Sequence, residues 1–357
     1  MLTEQEKLGR LTVPAGKIRI VIDSDAKNEV DDQFAISWAL RSPERFAVEA
    51  VYAVPFSHTQ FHRNLGNLDS IVYECPKAGM ESSYQEIVKL FDLLGEPCEN
   101  RIFRGAKHYI EDGPVMSDAV NDLIARGMAS EDPLYVVAIG AATNVASALM
   151  AEPRLADHIV VIWLGGQPAH FPYGIEFNLT QDIKAAQHLF NCGVPLIWVP
   201  CMGVASLLSL SDADVREKLM GKSKIGTYLA QIVLDQFTGL EKAVTRASNH
   251  RRLNMRGRDD MSEEYLAQFQ SNFVSWSRTI WDVSTIAFLK NPNWTASSLI
   301  PAPVLEDDCS YGTPSTDRHK IRMVNYCQRD LIFGDMIFCL NHEEKEASCI
   351  QNELWKK

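Results

Sequence analysis

The chain has 357 residues, 46% of them hydrophobic, enough to bury a large core as one α/β domain or two smaller ones. Its 35 basic and 46 acidic residues give a formal charge of −11, which argues against a nucleic-acid or anionic-membrane binder. No charge-free apolar run approaches the roughly 18 residues of a membrane span, and the segment from Met1 to Lys7 lacks the apolar core of a signal peptide, so a soluble, cytoplasmic protein is expected.

The first element is a strand over 17–23, in which Ile18, Ile20, Val21 and Ile22 are β-branched and apolar, the composition of a buried parallel strand. It runs into Asp23-Ser24-Asp25-Ala26-Lys27-Asn28-Glu29-Val30-Asp31-Asp32 and then into a helix over 31–41. Four aspartates thus fall within ten residues at the carboxyl end of a strand, where open α/β sheets bind ligands. Like charges there repel unless a cation or polar substrate is present, and a divalent metal on oxygen ligands is the simplest compensator. Further strands are expected at 46–54, 134–139, 158–164 and 194–199, with helices at 83–94, 115–127, 143–151 and 182–190. Such alternation calls for right-handed crossovers and a mostly parallel sheet. Residues 211–275 are polar and helical in pattern, with a basic stretch from Arg246 to Arg258, and read as a helical insertion or lid over the sheet's carboxyl edge. An amphipathic helix follows at 281–290, then Pro/Asp-rich loops and short strands near 319–326, all within one domain spanning 1–357. Eight scattered cysteines without a Cys-x-x-Cys pair read as reduced, mostly packed thiols.

Four places carry chemistry. In the first, Asp25, Asp31 and Asp32 sit where a strand-to-helix turn can aim carboxylates at one point, and such hard ligands suit calcium or magnesium rather than zinc. The plainer reading, that Asp31 caps the next helix, explains one aspartate but not the repulsion among three. The second is Gly140-Ala141-Ala142-Thr143-Asn144-Val145-Ala146, by itself an ordinary strand-to-helix junction. In the third, Leu164-Gly165-Gly166 is followed by Glu176-Phe177-Asn178, whose acid and amide can bond vicinal hydroxyls of a sugar or belong to a surface loop. The fourth is Trp281-Asp282 opening a helix, where an Asp is ordinarily a cap.

In this order the four sites resemble the nucleoside hydrolase family of the inosine-uridine-preferring type. That family opens with a strand ending in Asp-x-Asp and an Asp-Asp pair starting a helix. It continues with a Gly-x-x-Thr-Asn turn, a Gly-Gly followed by Glu-Phe-Asn, and a late His-Asp. The likeness spans 17–205 and 276–335, including Lys290-Asn291-Pro292-Asn293-Trp294. It implies an α/β fold with a Rossmann-like core, a mostly parallel central sheet flanked by helices. It further implies that Asp25, Asp32, Asp282 and the backbone carbonyl of Thr143 hold Ca2+, and that Asp25 takes the proton from a metal-bound water. Asp31 would bond the ribose 2′-hydroxyl, and Glu176 and Asn178 the remaining hydroxyls. The substrate would be a nucleoside or related N-ribosyl compound, cleaved to ribose and free base through an oxocarbenium-like transition state, by a homodimer or homotetramer.

Departures from the pattern locate the open points. Five residues, Ala26 to Val30, replace the family's three between the second Asp and the Asp-Asp pair, so Asn28 or Glu29 can join the site. Trp281 replaces the His that protonates the leaving base in relatives; an indole donates one hydrogen bond but releases no proton, and either stacks on the base or packs the lid. His170 stands where an Asn usually binds sugar, and is either a sugar ligand, an acid, or an exposed loop histidine. Pro55-Phe56-Ser57-His58 replaces a Gly-Asn, and Gly79-Met80-Glu81-Ser82-Ser83-Tyr84 has no place in the pattern. Two alternatives stand beside a hydrolase: a ribose- or nucleoside-binding protein with impaired catalysis, and a haloacid-dehalogenase-type phosphohydrolase. The second leaves Asp31-Asp32 and Glu176-Phe177-Asn178 unexplained.

Overall fold

The β-branched run becomes strand β1 (Ile18–Ser24), and the aspartate-rich turn leads from it into a buried helix. The computed structural model describes residues 2–59, 73–236 and 277–342. The remaining strands of the main sheet are β2 (Phe46–Ala53), β3 (Ile102–Arg104), β4 (Leu134–Ala138), β5 (Ile159–Leu164) and β6 (Leu196–Val199), then β9 (Thr295–Pro301) and β10 (Lys320–Cys327). A separate pair joins β7 (Ser209–Ser211) to β8 (Ser277–Thr279). The described α-helices are α1 (Glu4–Arg10), α2 (Asp32–Leu40), α3 (Pro76–Leu94), α4 (Asp118–Met128), α5 (Thr143–Ala151), α6 (Phe177–Gln181), α7 (Ile183–Asn191), α8 (Asp212–Lys218), α9 (Lys224–Asp235), α10 (Val283–Lys290) and α11 (Arg329–Asn341).

The eight strands lie in the order β3-β2-β1-β4-β5-β6-β10-β9, parallel throughout except for β9, which runs antiparallel to β10 at the edge. The order reverses between β1 and β4, and a crevice opens beyond the carboxyl ends of the strands at such a switch point. Asp25 leaves β1 on one side of it and Gly140 leaves β4 on the other. Separate apolar layers cover the two sheet faces: Ile20, Ile22 and Val137 point to one, Val21, Val136 and Val161 to the other. Burial on both faces is why these strands read as unbroken hydrophobic runs.

Helices α2 and α10 pack against each other, and every residue of Asp32–Leu40 and Val283–Leu289 is buried. The amphipathic pattern expected for 281–290 is therefore corrected: α10 is covered on all sides and starts at Val283. Helix α3 begins seven residues before the expected 83, because Pro76 occupies its first turn after an extended Cys75. It stops where Gly95 adopts a left-handed conformation (φ 71°). Strands β3 and β9 and helices α1, α6 and α11 were not expected from the sequence. Of the helical segment expected at 211–275, α8 and α9 are described, and α9 packs against α3 and α11 on the flank of the sheet. Residues 237–276, with the basic stretch 246–258, lie outside the described residues. Among the described residues no helix is long and apolar enough to cross a membrane. The seven described cysteines are free, with Cys75 and Cys98 exposed rather than packed.

Candidate active site

Asp25, Asp31, Asp32 and Asp282 are each no more than 4% exposed. One carboxylate oxygen from each of Asp31, Asp32 and Asp282 lies within 4.8 Å of the others. Asp31 and Asp282 immediately precede helices, yet neither carboxylate caps one. Asp31 Oδ2 instead accepts the backbone N–H of Trp281 at 3.1 Å, which ties the turn after β1 to the entry of α10. Ser24 Oγ donates to Asp32 Oδ1 at 2.6 Å. Asp25 lines the same cavity outside this trio, and its Oδ2 is buried with no hydrogen-bond partner among the described residues. The close approach depends on Gly140, where a Cβ would sit 3.1 Å from Asp25 Oδ1.

Burial, and then the neighbouring carboxylates, push Asp25, Asp31 and Asp282 well above the ordinary carboxylate range. Burial raises Asp32 to about 7 against partial relief from Ser24. Asp23, one turn further in, is raised to about 7 by burial; Asn144 holds it through a 2.8 Å bond and also bonds Ala106 N–H at 2.8 Å. A buried cluster of this kind is costly when ionised and is relieved by a positive charge. The described cation beside it, Arg278, is committed to Glu29. The residues thus fit a hard divalent cation: three convergent carboxylates, with a fourth, Asp25, lining the same cavity and carrying an unpartnered oxygen.

The longer turn between Asp25 and Asp31 is held from three sides. Asn28 N–H closes back on Asp25 O at 2.7 Å. Gln33 donates to Ala26 O at 2.6 Å, and helix α3 contributes Ser83 Oγ to Lys27 N–H at 3.3 Å and Glu86 to Lys27 Nζ at 3.0 Å. Tyr228 of α9 donates to Glu86, and Arg278 of β8 pairs with Glu29. The segment Gly79–Tyr84 now has a place. Gly79 lets α3 press on Phe56, since a Cβ there would lie 2.1 Å from Phe56 O. Arg104 pairs with Glu81 at 2.7 Å and covers the Tyr84 ring, and Ser83 and Glu86 then face the turn. Asn28 and Glu29 accordingly line the cavity.

That cavity has a volume of about 520 Å3. Asp25, Asp31, Asp32, Asp282, Glu176 and Asn178 all line it. Glu176 caps α6 and is heavily engaged: its oxygens accept from Gly166 N–H (2.8 Å), Asn178 N–H (3.0 Å) and Leu179 N–H (3.1 Å), and the Cys201 thiol also bonds it. A carboxylate offers about four lone-pair sites, so a sugar hydroxyl reaches Glu176 by replacing the thiol. Burial raises the Glu176 carboxyl against the pull of these donors. Gly166 is left-handed (φ 68°), and a Cβ there would meet Leu179 Cδ1 at 2.9 Å. Asn178 is oriented by donating to Leu164 O at 3.0 Å. Trp281 lines the cavity beside Asp282. His170 is not brought in: it is exposed, its ring against Phe171, and not among the lining residues. Nor is Thr143, a buried residue whose hydroxyl donates to Asp182 at 2.8 Å, so a metal contact from it would fall to its carbonyl. Sequence reasoning missed Cys201, Ser83, Glu86 and Arg278, and it gave Asn144 no role beyond its place in the Gly-x-x-Thr-Asn turn. The unplaced Gly79–Tyr84 segment was the signal for Ser83 and Glu86.

A doubly wound α/β sheet that gathers buried carboxylates into a cavity at its switch point defines a class: an α/β enzyme with a carboxylate-rich site. The family is narrower. Residues 20–323 match the model of the inosine-uridine preferring nucleoside hydrolases, and the chain belongs to that family; it is an N-ribosyl hydrolase. A pyrimidine-specific ribonucleoside hydrolase, RihA, of Salmonella enteritidis is 26% identical over 232 residues, covering 62% of this chain and 72% of that protein. The structure of a plant nucleoside hydrolase superposes with a TM-score of 0.60 at 17% identity, covering 91% of this chain and 99% of its own. A purine-preferring ribonucleoside hydrolase from Gardnerella vaginalis gives 0.61 at 17% identity, covering 90% and 98%. At such identities these two structures speak for the fold alone.

Proposed function

We propose that this chain hydrolyses the N-glycosidic bond of ribonucleosides or related N-ribosyl compounds, releasing ribose and the free base, with Ca2+ held by Asp25, Asp32 and Asp282. The observation that carries the reading is the buried trio Asp31, Asp32 and Asp282, with carboxylate oxygens within 4.8 Å of one another in a cavity that Asp25 also lines. A divalent cation held there would supply charge compensation and Lewis acidity toward a water. Asp25 accepts the proton of that water as it adds to the anomeric carbon. Asp31 accepts from the ribose 2′-hydroxyl while its other bond, to Trp281 N–H, keeps it aimed. Asn178 and Glu176 take the remaining hydroxyls, and Asn28 closes the sugar side from the long turn. The bond to nitrogen breaks as positive charge builds on the sugar, and the surrounding carboxylates stabilise that charge.

The test is ribose release from nitrophenyl riboside by the wild type, by Asp25→Ala, and by wild type stripped of divalent metal. Loss of turnover in the second and third supports the proposal. Full turnover in either overturns the mechanism. Assembly as a homodimer or homotetramer belongs to the same proposal and is read by sedimentation.

A further inference from the structure

We propose that the preferred substrate of this site is a cationic N-riboside, an N-ribosylpyridinium, whose heteroaromatic ring leaves as a neutral molecule without being protonated by the enzyme. This rests on the hydrolase reading and names its substrate class. Six carboxylates line the cavity, Asp25, Glu29, Asp31, Asp32, Glu176 and Asp282. Even with Arg278 on Glu29 and one divalent cation in the cluster, negative groups outnumber positive ones. Four aromatic side chains, Phe171, Tyr173, Phe177 and Trp281, also line it, among aliphatic and amide residues. Aromatic faces attract a ring-borne cation, most strongly when water is excluded.

That aromatic rim is built in place. Gly174 N–H bonds Cys309 O at 2.7 Å, and Tyr311 N–H bonds Pro172 O at 3.2 Å. Gln167 bridges Ile175 O (3.1 Å) and Met202 N–H (3.1 Å). These bonds hold the loop that carries Phe171 and Tyr173 at the cavity. Among the described residues lining the cavity there is no His, Lys or Arg, and the Cys201 thiol is turned to Glu176. A pyridinium needs no such donor. The C1′–N bond breaks with its electron pair moving to the ring nitrogen, which cancels the ring's charge; water oxygen bonds to C1′ and its proton passes to Asp25. A neutral purine or pyrimidine leaves as an anion unless it is protonated.

The experiment compares kcat/KM for N-(β-D-ribosyl)pyridinium, uridine and inosine between pH 6 and 9 in Ca2+-loaded wild type, Trp281→His and Trp281→Phe. Nitrophenyl riboside serves as the neutral control that needs no acid. The expected result is a preference of at least 100-fold for the pyridinium over both nucleosides. Trp281→Phe, which keeps an aromatic face, retains that ratio. Trp281→His, which supplies a proton donor, narrows it at least 10-fold by raising nucleoside turnover, with a loss at high pH as the imidazole deprotonates. Comparable rates on the three substrates, or a ratio that Trp281→His leaves unchanged, overturn the inference while nitrophenyl riboside is still cleaved. No cleavage of nitrophenyl riboside overturns the hydrolase reading and this inference with it.

Discussion

Replacing Asp32 by Asn should stabilise the metal-free protein at neutral pH while abolishing its response to calcium. Asp32 is 2% exposed and burial lifts its carboxyl from 3.8 to about 7. A raised acid holds its proton more tightly in the folded state than in the unfolded one. Its contribution to stability is therefore full below the unfolded value near 3.8, falls as pH rises toward 7, and is flat beyond. At 1.36 kcal/mol per unit, a gap of about three units costs roughly 4 kcal/mol at pH 8. Asn removes that cost, and its amide oxygen can still accept from Ser24 Oγ. The assay is urea unfolding in EDTA, followed by tryptophan fluorescence, at pH 4.5, 6 and 8. The advantage of Asp32→Asn should be small at pH 4.5 and grow to several kcal/mol at pH 8. Calcium at a hundred times its Kd should add about 2.7 kcal/mol to the wild type and nothing to the variant. A variant no more stable than wild type at pH 8, or an advantage independent of pH, refutes the reasoning.

Three further changes test the scaffold around the site. Glu86→Ala leaves the half-buried Tyr228 hydroxyl without its acceptor, removes one of the Gln33 amide's bonds and frees Lys27; because Lys27 is partly exposed the cost should be about 1–3 kcal/mol in urea, with weaker Ca2+ binding by calorimetry as the second readout. Gly79→Ala places a methyl 2.1 Å from Phe56 O and should lower stability by about 1–3 kcal/mol or more; an unchanged urea midpoint would show that α3 does not bear on Phe56. Asn144→Ala unpairs Asp23 Oδ1 and Ala106 N–H, two buried groups, and should cost about 2–4 kcal/mol by thermal unfolding.

The sheet core and the aspartate turn are legible because β1 is a β-branched run followed at once by helical spacing, and both signals are local. The parallel order follows from the same alternation. Less visible is β9, whose Thr295-Ala296-Ser297-Ser298 start is polar because it lies at the sheet's antiparallel edge. Helix α10 looked two-faced in sequence, but α2 covers its far side, a fact of tertiary packing. The site divides in the same way. The aspartates announce themselves by their mutual repulsion, and Glu176 and Asn178 by their order along the chain. That Asp31 converges with Asp32 and Asp282 depends on where the five-residue turn goes. Ser83 and Glu86 of α3 and Arg278 of β8 set that path from two distant segments, with Gln33 of the adjoining α2. His170 had only its alignment to speak for it, and the fold leaves it in solvent.

The most direct test of the central claim is reducing-sugar release from a panel of ribonucleosides and N-ribosyl compounds by calcium-loaded protein, with Asp25→Ala in parallel. Ribose should appear with at least one member of the panel, and Asp25→Ala should lose about 100-fold or more of that rate. No ribose from any member, or equal release by the variant, would contradict the account.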